Sequence, residues 1–162
     1  MINIFTDGSA FKNGEKDAIG GYAIFFGDND SRNFSKKLSG KITNNIAELK
    51  AILRGIKILI TTKKIENEII NIYSDSEYAI KSITIYAKSW EKNKWKKSDG
   101  KEIKNLNIIK QIYNLINNLN FKINFIHTRA HQKAPSKDDP NYIIWYGNNQ
   151  ADIMAKKAAL ST

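Results

Sequence analysis

The sequence contains no cysteine, two prolines and two histidines in 162 residues, and no apolar run near the ~18 residues that a membrane span requires. Without cysteine, a disulfide scaffold and any zinc centre built on thiolates are excluded, and a reducing, intracellular compartment is the simplest expectation. Lys, Asn or Glu interrupts every Ile-rich stretch, so no membrane partner is expected. Met1 is followed at once by the strand-like Ile2-Asn3-Ile4-Phe5, which leaves no room for a signal peptide. Two prolines and nine glycines exclude collagen-like and low-complexity classes. Acidic residues are the scarcer charge, 16 against 26 Lys and Arg, and the net charge of +10 favours a polyanionic partner, nucleic acid by default. Heavy use of Lys, Asn and Ile together also reads as a coding bias, which accounts for part of that excess.

What is present reads as one α/β domain over residues 1–162. Ile2–Thr6 predicts a strand and Gly20–Phe26 a second, separated by the turn signal Lys12-Asn13-Gly14. Arg32–Leu38 follows as a third, and the short loops imply an antiparallel meander. Ile46, Leu49, Leu53, Ile56, Leu59 and Ile60 recur at three- and four-residue steps, which predicts a helix with one buried face from about Ile46 to about Thr61. Ile69–Tyr73 is the fourth expected strand, and Ser74-x-x-Glu77 has the form of a capping box opening another helix. The stretch Lys81–Lys104 mixes Tyr86, Trp90 and Trp95 with lysines. Ile108 to Leu119 then predicts an amphipathic helix, Phe121–His127 a strand, and Gly147–Leu160 a closing helix. Strand, helix, strand, helix is the rhythm of parallel pairing with crossover connections.

Four acids fall at the expected ends of these elements: Asp7 after the first strand, Glu48 in the first turn of the long helix, Asp75 past the fourth strand, and Asp152 near the start of the last helix. Taken singly, each has an ordinary role. Glu48 suits a capping box opened by Asn45, Asp75 a helix cap, Asp152 a helix N-terminus, and Asp7-Gly8 a turn. Taken together, strand ends and helix starts are where ligand groups converge in α/β sheets. Carboxylates gathered there repel one another unless a hard cation compensates, and Mg²⁺ is the usual one. No GxxxxGK[ST] phosphate loop occurs, and no Ser-His-Asp or Cys-His set has a recognisable context.

The strings Ile4-Phe5-Thr6-Asp7-Gly8-Ser9, Thr43-Asn44-Asn45-Ile46-Ala47-Glu48, Tyr73-Ser74-Asp75-Ser76 and Gly147-Asn148-Asn149-Gln150-Ala151-Asp152 occur in that order. Together they resemble the type 1 ribonuclease H family, over about Ile2 to about Ala159. The resemblance implies a mixed five-stranded sheet, three antiparallel strands then two parallel, flanked by helices and carrying a basic protrusion. It implies that Asp7, Glu48, Asp75 and Asp152 hold two Mg²⁺ ions, with Mn²⁺ as a substitute. The reaction it implies is endonucleolytic hydrolysis of the RNA strand of an RNA–DNA hybrid, leaving 5′-phosphate and 3′-hydroxyl ends. No oligomer signal is present, so a monomer is the default expectation.

Of the two histidines, His127 continues a strand alternation and reads as a packing or hydrogen-bonding residue. His131 lies in the loop beyond and matches the family's mobile loop histidine, placed for proton transfer or product release. The stretch from His131 to Asp152 is longer than in many relatives. It holds Pro135, Pro140 and the apolar run Tyr142–Tyr146, with Trp145 either covering the core or touching substrate. By the same resemblance, Asn13, Asn44 and Asn45 match positions that sense ribose 2′-hydroxyls, whose donor-acceptor chemistry suits side-chain amides. Tyr86, Trp90 and Ser98 match a channel for the DNA strand, and Thr43 and Asn105 a pocket for a DNA phosphate. An alternative for Trp90 and Trp95 is a small satellite core.

Overall fold

The architecture was taken from a computed structural model, which describes residues 1–62, 65 and 67–162. Strand β1 (Ile2–Phe11) runs down the centre of a five-stranded sheet with strand order β3-β2-β1-β4-β5. It pairs antiparallel with β2 (Ile19–Phe25), which pairs antiparallel with β3 (Phe34–Ser39). On its other side β1 pairs parallel with β4 (Ile69–Ser74), which pairs parallel with β5 (Lys122–His127). This is the expected mixed sheet.

Alternation along β1 decides the layering. Ile4 points with Ile24, Ile70 and Ile72 into a core under helix α1 (Asn44–Thr61) and α4 (Leu106–Asn117), and all four are fully buried. Leu49, Ile52, Ile56 and Leu59 supply the matching stripe of α1. Burial of each such side chain stabilises the fold by about 1.5–3 kcal/mol. Phe5, Phe25 and Tyr73 point the other way and pack with Ala151 of α5 (Tyr142–Ala159). Helices α1 and α4 pack on one face and α5 covers part of the other. Where α5 does not reach, Asn71 donates to Asn3 and Asn124 donates to Asn71, a side-chain ladder across three strands in register.

Helix α2 (Glu77–Lys81), a single π-helical stretch at Ser82–Tyr86, and α3 (Ala87–Lys92) run continuously into the lysine-rich protrusion. Trp95 at its base packs edge-on against Tyr113 of α4, with the Lys110 ammonium 5.3 Å from the indole centroid. Among the described residues, no helix is long and apolar enough to cross a membrane.

Four expectations need correction. β1 does not end at Thr6 but continues to Phe11, because β2 keeps pairing with it from Phe25 to Ile19 after the ladder with β4 has stopped. Thr43, not Asn45, caps α1 by accepting from the Ile46 N–H. The Ser74–Glu77 capping box is absent; Ser76 caps α2 by accepting from Ala79 N–H, and Ser74 Oγ accepts from Ser76 N–H. Finally, α5 begins at Tyr142, so the long loop after His131 ends at Asn141 and Asp152 lies mid-helix. The chain starts that helix two residues after Pro140, with the aromatic run as its first turns.

Candidate active site

Asp7 sits inside β1 just beyond the last rung shared with β4, so on that side no neighbouring strand covers it. β4 ends at Ser74, which places Asp75 beside it. Gly8 brings α1 close: a Cβ there would lie 2.3 Å from the Glu48 backbone nitrogen and 2.4 Å from the Ala47 carbonyl carbon. Only glycine allows that approach, and it is what presses Glu48 against Asp7. α5 crosses the opposite face of β1. Gly147 permits its contact, since a Cβ there would stand 2.3–2.4 Å from the Phe5 ring.

Side-chain oxygens of Asp7, Glu48 and Asp75 consequently lie within 4.8 Å of one another. Asp152, on α5, stands outside that trio but lines one recess with Asp75, and its charge adds to the upward push on Asp7; it also pairs with Lys156 at 3.1 Å. The four acids predicted from sequence are thus brought together from β1, α1, the end of β4, and α5. Asp7 is 3% exposed and Glu48 6%. Burial, then the charge of Asp75, pushes the Asp7 carboxyl up from 3.8 to about 9. Burial, then Asp7 and Asp75, likewise raises Glu48 well above its ordinary value. Glu48 Oε2 is fully buried and has no hydrogen-bond partner. Among the described residues, no lysine or arginine forms an ion pair with Asp7, Glu48 or Asp75. A buried carboxylate oxygen without a donor, flanked by two more acids, is an environment that a divalent cation would satisfy and that protein groups do not. The all-oxygen donor set fits Mg²⁺ or Mn²⁺.

His131 lies in the loop after β5, exposed, with φ at 55°, and it lines a small recess together with Asp75, Asn148 and Asp152. The structure therefore brings it to the acids, as expected. His127 remains outside the recess; its Nε2 is 3.2 Å from the Asp75 carbonyl oxygen, a hydrogen bond that ties β5 to the turn carrying Asp75. Two residues were not assigned this role from sequence. Trp145 Nε1–H donates to the Gln132 carbonyl, which pins the His131 loop to α5. Thr128 Oγ1–H donates to Asn148 Oδ1 on the same helix. Local sequence announces neither role, although Trp145 and Asn148 fall at helical steps from Asp152.

The expected substrate residues lie outside the acid cluster. Asn13 Oδ1 accepts from the Asn44 N–H at 2.6 Å, and Asn44 Oδ1 accepts from the Ala10 N–H at 2.8 Å. Both use their carbonyl oxygens on the backbone, so their amide nitrogens remain as donors; Asn45 is half-buried beside them at the start of α1. Thr43 and Asn105 each open a helix, α1 and α4. Asn105 adopts φ 59°, its Nδ2 donates to the Tyr78 hydroxyl, and it shares a cleft with Ile46 of α1. Tyr86 and Trp90 place their rings 5.7 Å apart on the protrusion, with Tyr86 43% exposed and Ser98 exposed in the following turn. Trp90 also packs against the main core.

A family model described as RNase H matches residues 1–160. The chain is 36% identical over 159 residues to a protein of Schizosaccharomyces pombe named ribonuclease H, covering 96% of this chain and 52% of that protein. A Clostridium botulinum protein of the same name is 31% identical over 158 residues, covering 97% of this chain and 94% of the relative. The chain thus spans about half of the yeast relative and nearly all of the bacterial one. Among solved structures, LC11-RNase H1 in complex with RNA/DNA hybrid superposes with a TM-score of 0.64 at 20% identity, over 98% of this chain and 96% of that one.

Proposed function

The chain belongs to the type 1 ribonuclease H family, and we propose that it is an endoribonuclease that hydrolyses the RNA strand of RNA–DNA hybrids as a single monomeric domain inside the cell. The observation that carries this reading is the uncompensated carboxylate cluster: three acids within 4.8 Å, with one buried oxygen left without a partner. In the reading, Asp7, Glu48, Asp75 and Asp152 hold two divalent ions, Mg²⁺ with Mn²⁺ as substitute. Bound there, the ions would polarise an attacking water and stabilise the departing oxygen of an in-line displacement.

The chain's own groups do the remainder. The rigid junction of β1, β4, α1 and α5 fixes the acids so that no reorganisation is needed at the moment of reaction. Water attacks phosphorus in the RNA strand, the bond from phosphorus to the 3′-oxygen breaks, and the products carry a 5′-phosphate and a 3′-hydroxyl. His131, exposed beside Asp75 and Asp152, is placed to take up or deliver a proton. Asn13, Asn44 and Asn45 present amide donors to ribose 2′-hydroxyls. Tyr86 and Trp90 pack on deoxyribose of the DNA strand, Ser98 lies beside them, and Thr43 with Asn105 receives a DNA phosphate at two helix starts. A hybrid-bound structure of a relative with this fold supports the substrate class.

A substrate panel tests the reading. One RNA strand, labelled at its 5′ end, is presented as hybrid, RNA duplex and single strand, and DNA duplex is added separately, each with Mg²⁺ and with EDTA. Mg²⁺-dependent cleavage of RNA in the hybrid alone, with fragments that accept a 3′ extension, is expected. Cutting DNA duplex as well as the hybrid would overturn it.

A further inference from the structure

Away from the acids, on the α1 face of the sheet, a cleft of about 320 Å³ opens between β2, β3, α1 and α4. Four cations line it, Lys36 from β3 and Lys50, Arg54 and Lys57 from α1, together with Tyr22 and Gln111; no acidic residue does. Among the described residues, none of the four is in an ion pair, although Lys12, Arg32, Lys81, Lys156 and the N-terminus all are. The Arg54 guanidinium lies over the Phe34 ring, 4.4 Å from its centroid, which fixes its plane without consuming its charge. Tyr22 is buried and its phenol is raised by that burial, so it stays a neutral hydrogen-bonding group at the cleft floor. Four like charges in a concave site focus a positive potential.

Spacing identifies what the cleft suits. On a helix rising 1.5 Å per residue, Lys50 to Lys57 spans about 10 Å, which is the axial rise of about three phosphates in one strand of a duplex. Lys50 also lines the neighbouring cleft of Ile46 and Asn105, so the two clefts adjoin and share a cation. Edge-strand lysines that deter strand pairing would explain Lys36 alone. Three cations along one helix face need another reason.

We propose that this cleft holds consecutive backbone phosphates of the DNA strand where it runs past Thr43 and Asn105, extending the footprint of the protein on its substrate; the proposal rests on the hybrid reading above. The same phosphate chemistry could come from a free polyphosphate, and the test separates the two.

Hybrid binding is measured by fluorescence anisotropy across a series of KCl concentrations, in an Asp7→Asn background so that bound hybrid is not cut. The pair R54Q/K57Q is compared with K122Q/K157Q, which removes the same charge elsewhere on the surface. Two lost phosphate contacts lower the slope of log K against log salt by about 1.8, and the control pair changes it by less than about half of that. K57Q alone, which leaves the Arg54 stack on Phe34 intact, gives about half the effect of the cleft pair and guards against a folding defect. Equal slopes for the cleft and control pairs, with the background protein binding normally, overturn the cleft proposal alone. Equal slopes with inorganic tripolyphosphate bound by the background protein and lost in R54Q/K57Q overturn the strand as occupant. A background protein that fails to bind hybrid at all overturns the hybrid reading and the cleft with it.

Discussion

Replacing Asp7 by Asn should make the metal-free protein more stable, although it removes a residue at the heart of the site. The folded protein holds the Asp7 carboxyl protonated up to about pH 9, whereas the unfolded chain releases that proton near 3.8. A carboxyl raised in this way makes the folded state bind more protons, so its stabilising balance is lost as pH rises from about 4 to about 9 and is flat outside that window. At pH 7 the gap from the ordinary value of 3.8, at about 1.4 kcal/mol per pH unit, corresponds to about 4 kcal/mol of destabilisation. Asn keeps the shape and carries no charge, so its folding requires no proton uptake at any pH in that window. In EDTA at pH 8, urea unfolding should show Asp7→Asn more stable by about 2–4 kcal/mol, a rise in Tm of order 10 °C, with the difference falling below about 1 kcal/mol at pH 4. A mutant that is less stable at pH 8, or a difference that does not change with pH, would refute the electrostatic reasoning.

Further outcomes follow from other contacts. Saturating Mg²⁺ should raise the Tm of the unsubstituted protein at pH 8 and leave Glu48→Gln nearly unmoved, because a ligand stabilises only the form that binds it; equal shifts would remove Glu48 from the metal site. Gly147→Ala should cost about 1–3 kcal/mol in urea unfolding, since the new methyl would meet the Phe5 ring at 2.3 Å. Trp145→Phe keeps the ring's bulk and loses the bond to the Gln132 carbonyl. It should lower kcat several-fold while leaving KM unchanged; an unaltered kcat would mean that the loop holds His131 without help from α5.

Much of this arrangement was legible in the sequence, and the failures have physical causes. Period-3.6 burial in α1 and the aromatic and β-branched runs in β2 and β4 are properties of single segments, so their positions could be read directly, whereas the mixed sheet followed from the family resemblance. The end of β1 could not, because its extension to Phe11 depends on β2 continuing to pair after β4 has stopped. The run Tyr142–Tyr146 beside two prolines looked like loop. Its aromatic residues stack on one another instead, Tyr142 with Trp145 and Tyr146 at helical steps, and Tyr146 packs on Phe25 and donates to Asp28. The π-helical stretch at Ser82–Tyr86 leaves no trace in composition, and it encloses a Ser82 hydroxyl without a partner. The four acids were identified as a set, yet their proximity is made by two glycines: Gly8 admits α1, and Gly147 admits α5. Trp145 and Asn148 act by fixing the loop and the helix around the site, a function that local sequence does not announce.

The most direct test of the central claim is the rate of RNA-strand cleavage in a labelled hybrid with Mg²⁺, measured side by side for the unsubstituted protein and for Asp7→Asn on samples whose unfolding curves are already known. The account predicts that the substituted protein is folded, more stable without metal, able to bind the hybrid, and slower by at least about 10³-fold, the scale on which loss of a group acting at the transition state is felt. Cleavage by Asp7→Asn within a few-fold of the unsubstituted rate would contradict it.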